Sequence, residues 1–87
     1  MLDELIGQKV VLDFKSTFVC LGTLARVDDH FFELKNADLH DLRDTQSTRE
    51  LYVAESVATG IKRNRKRVLV SRLEVVAISR LEEVVNE

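Results

Sequence analysis

The stretch Phe18-Val19-Cys20-Leu21-Gly22-Thr23-Leu24-Ala25-Arg26-Val27 constrains the fold most. Its first four residues are apolar on both faces of an extended strand, and a glycine interrupts the run. A glycine inside a strand marks a sharp bend or a close approach of another backbone. A long strand buried on both sides next to such a glycine is what a small closed or nearly closed barrel needs.

The flanking segments agree with that reading. Val10, Leu12 and Phe14 alternate with Val11 and Asp13, the period of a strand. Lys15-Ser16-Thr17 and Asp28-Asp29 are turns, and Phe31 to Leu39 is a third strand. Val68 to Ser71 and Val75 to Ser79 are two further β-rich segments around Arg72-Leu73-Glu74. Leu2, Leu5 and Ile6 lie on one face of a short amino-terminal helix that Gly7 should stop. Ser47-Thr48-Arg49-Glu50 has the form of a capping box. Leu51, Ala54, Val57, Ala58 and Ile61 follow at helical spacing, so a helix is expected over about 48–59, with Gly60 at its end. Residues 62–67 are expected to form a basic loop, and 80–87 to extend the last strand or form a short helical tail.

Short strands in succession favour antiparallel pairing. The expected class is α+β, mainly β: a strongly bent five-stranded barrel with an amino-terminal helix and a helix inserted between the third and fourth strands. At 87 residues the chain, 1–87, is read as a single domain. One cysteine excludes an internal disulfide and favours a reducing compartment. The start MLDELIGQ places acids where a secretory signal needs positive charge, and no stretch approaches the length of a membrane span. The expected location is therefore the cytoplasm.

Net charge is −2, but it is unevenly spread. Residues 1–61 carry 6 basic and 11 acidic side chains, residues 62–72 carry 6 basic and none acidic, and residues 73–87 carry 1 basic and 4 acidic. One concentrated positive segment on an acidic background says more about partners than the total does.

Several of these residues form a pattern similar to the Sm-like family. Val10, Leu12, Gly22, Leu24, Asp28 and Leu34 resemble its first motif, and Leu34-Lys35-Asn36-Ala37 is similar to that motif's closing L-x-D-A. Val68-Leu69-Val70-Ser71 and Val75-Val76-Ala77-Ile78 resemble the second motif. The likeness is to a divergent, bacterial-type member. The family's pocket asparagine is replaced by Phe31 or Phe32, its Arg-Gly pair by Ser71-Arg72, and its hairpin loop by the inserted helix. The resemblance implies a homo-oligomeric ring in which strand four of one subunit pairs with strand five of the next, and it implies RNA binding.

Lys62, Arg63, Arg65, Lys66 and Arg67, with Arg72 and His30, are the candidate RNA-binding residues. Clustered cations suit phosphates, and His30 lies near the family's base-stacking position. The basic segment, more than a base pocket, is expected to carry the binding. The plainer reading of that segment is a solvated loop, or a patch paired with Asp38, Asp41 and Asp44. Asp28-Asp29-His30 and Asp38-Leu39-His40-Asp41 lack a diagnostic metal-ligand spacing, so no metal or other cofactor is expected. Cys20 reads as a small buried hydrophobe and Tyr52 as a half-buried packing residue. No nucleophile elbow, phosphate loop or catalytic carboxylate pair is present, and no enzyme is expected. The alternative function is an adaptor ring whose inserted helix docks a protein and which does not read RNA.

Overall fold

The computed structural model describes residues 1–45 and 47–85. Strands β1 (Lys9–Phe14), β2 (Phe18–Val27), β3 (Phe31–Asp41), β4 (Arg65–Ser71) and β5 (Val75–Arg80) form one sheet in the order β4-β3-β2-β1-β5. Every neighbouring pair is antiparallel. Helix α1 (Arg49–Thr59) lies between β3 and β4 in sequence, and short 3-10 turns occupy Leu2–Leu5, Leu42–Asp44, Arg72–Glu74 and Leu81–Glu83.

The connectivity forces curvature. β4 and β5 are the two edges of the sheet, yet only the turn Arg72–Glu74 joins them. In a flat sheet four strand spacings of about 4.8 Å would separate them by roughly 19 Å. A connector this short spans at most about 14 Å, so the sheet has to curl. Two irregularities between β2 and β3 bend it, one between Leu21 and Thr23 and one between Leu24 and Arg26. A bulge bends its strand and increases the local twist. At the first of them Asn36 takes φ +51°, a left-handed conformation that asparagine tolerates better than most residues.

Each face of the sheet buries its own apolar cluster. Inside the curl lie Val10, Leu12, Cys20, Leu24, Phe32, Leu34, Ala37 and Val70, closed over by Leu2 and Leu5. On the outer face Val11, Val19 and Leu21 pack against Val53 of α1 and Leu81. The run Phe18–Leu21 is apolar on both faces because the inserted helix covers the second one. Burial pushes the Cys20 thiol up to about 12, with the Asp38 charge adding to the shift, so it stays a neutral packing group.

Five expectations need correction. The amino-terminal element is a 3-10 turn, with Ile6 exposed. Thr48, one residue later than expected, caps α1: its hydroxyl accepts from the Leu51 N–H at 3.2 Å. The buried side of α1 is Val53 and Ser56, whereas Leu51 and Val57 of the expected stripe are exposed. Contacts at its edges set that rotation. Arg49 pairs with Asp13 at 3.1 Å, Tyr52 donates to Asp38, and the Tyr52 ring stacks on His40 with centroids 4.3 Å apart. β3 runs on to Asp41. Finally, β4 starts at Arg65, so Arg65, Lys66 and Arg67 belong to a strand and not to a loop. Asn64 begins the strand early: its N–H donates to the Ala37 carbonyl at 2.8 Å, and its side-chain amide bonds the Leu39 carbonyl at 2.9 Å and N–H at 3.0 Å. Among the described residues no helix is long and apolar enough to cross a membrane.

Candidate nucleic-acid interface

The β2–β3 turn is built by one carboxylate. Asp28 Oδ1 accepts from the His30 N–H at 2.8 Å and the Phe31 N–H at 2.7 Å. These two bonds, His30 first, hold the Asp28 carboxyl below its ordinary range. The turn is therefore set by its own side chain and presents Asp29, His30 and Phe31 outward, all exposed.

The turn after β4 locks onto it. The Arg72 N–H donates to the His30 carbonyl at 2.9 Å, and Arg72 Nη1 donates to the Asp28 carbonyl at 2.6 Å. The Arg72 guanidinium carbon lies 5.5 Å from the centroid of the Phe32 ring, within the range of a cation–π contact. Asp29, His30, Phe31, Ser71, Arg72 and Leu73 line an open groove of about 510 Å³. An imidazole, a phenyl ring that is 41% exposed and a pre-oriented guanidinium thus border one hollow. Flat cationic and aromatic groups of this kind stack on unpaired bases, and the guanidinium can hydrogen-bond a base edge or a phosphate.

The basic run lies elsewhere. Lys62, Arg63, Arg65, Lys66 and Arg67 are all exposed. They cluster at the start of β4, whereas the groove sits at its end beside Ser71. At about 3.3 Å per residue the two zones are roughly 20 Å apart. So the seven sequence candidates separate into two groups, His30 with Arg72 and the five residues of the run. Within the run, Arg67 is paired with Glu33, which also takes Arg26 at 3.1 Å. The Arg67 side chain is the main reason the Glu33 carboxyl is held low. Arg63 Nη1 donates to Asn36 Oδ1 at 2.6 Å. Among the described residues, Lys62, Arg63, Arg65, Lys66 and Arg72 make no ion pair.

Two of the three acids that could have neutralised the run are engaged elsewhere, while Asp44 is exposed and makes no ion pair among the described residues. Asp38 is buried and accepts from Tyr52 and from Asn64 Nδ2, and its burial raises its pKa. Asp41 pairs with Arg43 at 2.7 Å and accepts from Thr17. Among the described residues no three His, Cys, Asp or Glu side chains gather as a metal site would need. Sequence reasoning missed Phe31 as a groove wall, having treated it only as a departure from a motif. Its signal was an aromatic residue beside a turn histidine in a chain with only 6% aromatics.

No family model matches the chain, and no curated protein matches it. Among solved structures it is similar to the Pyrococcus abyssii Sm protein in complex with a uridine heptamer, with a TM-score of 0.62 and 18% identity over 90% of this chain and 89% of that one. The chain has the Sm fold. Helix α1 is packed on its own sheet through Val53 and Ser56.

Proposed function

We propose that this Sm-fold chain is a subunit of a homo-oligomeric ring that binds single-stranded RNA. The observation that carries the RNA reading is Arg72, held by two backbone carbonyls in a groove walled by His30 and Phe31. The ring reading rests on the edges: β4 and β5 each have one unpaired side, and Leu69 on β4 and Val76 on β5 are 47% and 62% exposed. An unpaired edge with apolar side chains invites another strand, and a rotation that closes produces a ring. His30, Phe31 and Arg72 would take bases, and Lys62, Arg63, Arg65 and Lys66 would take phosphates. Arg67, already bonded to Glu33, would contribute mainly to the field. Repetition around the ring multiplies weak contacts along one strand. The bound heptamer of the similar Sm protein supports uridine-rich RNA as the first ligand to try.

The test is fluorescence anisotropy with a labelled oligouridine at low salt. Arg72→Ala should weaken binding by about tenfold or more, as the loss of a charged hydrogen-bonding group does, without changing the oligomeric state. An assembled wild-type protein that binds no RNA at low salt would overturn the RNA reading and favour an adaptor ring. The exposed Leu51 and Val57 of α1 would then be the surface to examine.

A further inference from the structure

We propose that Glu82 and Glu83 of one subunit clamp the basic start of β4 in the next, so that each ring junction closes on an ion-pair cluster. The inference rests on the ring reading above and adds its partner residues. β5 ends in the turn Leu81–Glu83, where Leu81 is buried under α1 and both glutamates are exposed. Glu83 reaches only its own Arg80, at 3.5 Å, with its side chain 63% exposed, and Glu82 has no ion pair among the described residues. At the opposite edge of the sheet, Lys62, Arg63, Arg65 and Lys66 are likewise without carboxylate partners among the described residues. Among the described residues, a single chain thus carries a turn of net negative charge after one edge strand, where Glu83 is bridged only to Arg80, and four cations without carboxylate partners at the start of the other.

Complementarity also selects the direction of pairing. A parallel junction would set Arg65-Lys66-Arg67 against Val75-Val76-Ala77, cations against apolar side chains. An antiparallel junction that sets the exposed Leu69 opposite the exposed Val76 brings Arg65 opposite Arg80 and carries the basic start of β4 to Glu82 and Glu83, which follow Arg80 and offset these cations. Cross-strand apolar pairs and opposite charges each stabilise such a junction, whereas mismatches weaken it. With Arg80, five cations meet two carboxylates and leave a net positive charge, so the junction keeps an attraction for phosphate.

Two charge-reversed full-length chains test this without RNA: E82K/E83K, and R63E/R65E. Sedimentation velocity and native mass spectrometry give the assembly, and circular dichroism checks the fold. Each reversed chain alone should dissociate at a concentration at least about tenfold higher than wild type in 50 mM salt. The difference should shrink to about twofold in 1 M salt, where the Debye length falls to about 3 Å. Mixed together, the two chains should recover assembly as alternating rings with even subunit numbers only. If a reversed chain misfolds, the isosteric E82Q/E83Q chain should still show a salt-dependent loss of about threefold. Reversed chains that assemble as tightly as wild type, or that mix at random, would overturn the clamp while leaving the ring. A wild-type monomer at micromolar concentration would overturn the ring reading and the clamp with it.

Discussion

Valine in place of Gly22 should lower the melting temperature by about 10–20 °C, measured at fixed protein concentration by circular dichroism. Gly22 is buried in β2 between Val10 of β1 and the β3 bulge. A Cβ at this position would lie 3.0 Å from Ala37 Cβ, 3.1 Å from Ala37 Cα and 3.2 Å from Leu34 Cδ2. Two of those atoms are backbone or fixed to it, so the strands themselves would have to part. Overpacking a close contact of this kind costs about 2–3 kcal/mol, and for a domain of this size each kcal/mol is worth about 4–8 °C. Alanine, which adds only the Cβ, should cost about half as much. An unchanged melting temperature for the valine variant would mean that β2 and β3 do not approach this closely.

Replacing Lys62, Arg63, Arg65 and Lys66 by serine should give the largest change in RNA binding. For single strands the logarithm of affinity falls with the logarithm of salt by about 0.7 per neutralised phosphate. Three to four phosphates per subunit give a slope of roughly −2 to −3, or about a thirtyfold loss of affinity between 50 and 200 mM salt. The serine variant should bind about a hundredfold more weakly at 50 mM, with a slope near −1 and an equal loss on every sequence. Because the same residues are assigned to the ring junction, the titration is read only at concentrations where light scattering shows the variant assembled. Arg67 is left in place, since removing it would also strip Glu33 of a partner. A variant that keeps the wild-type slope would place the phosphate contacts elsewhere on the molecule.

Much of the barrel was legible from residue patterns. Alternation at Val10–Phe14 and the glycine inside Phe18–Val27 led to a bent antiparallel sheet, and the likeness at Gly22, Leu24 and Asp28 led to the Sm fold that the comparison shows. What periodicity could not reveal was set by tertiary contacts. Leu51, Ala54 and Val57 have ideal helical spacing, but Tyr52 bonded to Asp38 and Arg49 paired with Asp13 turn α1 onto Val53 and Ser56 instead. Arg65-Lys66-Arg67 has the composition of a solvated loop, yet the Asn64 amide, bonded across to Leu39, draws it into the sheet. At the candidate site, His30 and Arg72 were identifiable one at a time, while their meeting was not. It depends on Asp28 folding the turn and on two bonds between segments 42 or more residues apart in sequence, Arg72 to His30 and to Asp28.

Native mass spectrometry of the full-length chain at micromolar concentration, with and without one equivalent of an oligouridine, tests the central claim most directly. The account predicts a single closed oligomer of fixed subunit number that takes up one RNA strand and keeps that number. A clean monomer, or an oligomer that takes up no RNA at low ionic strength, would contradict it.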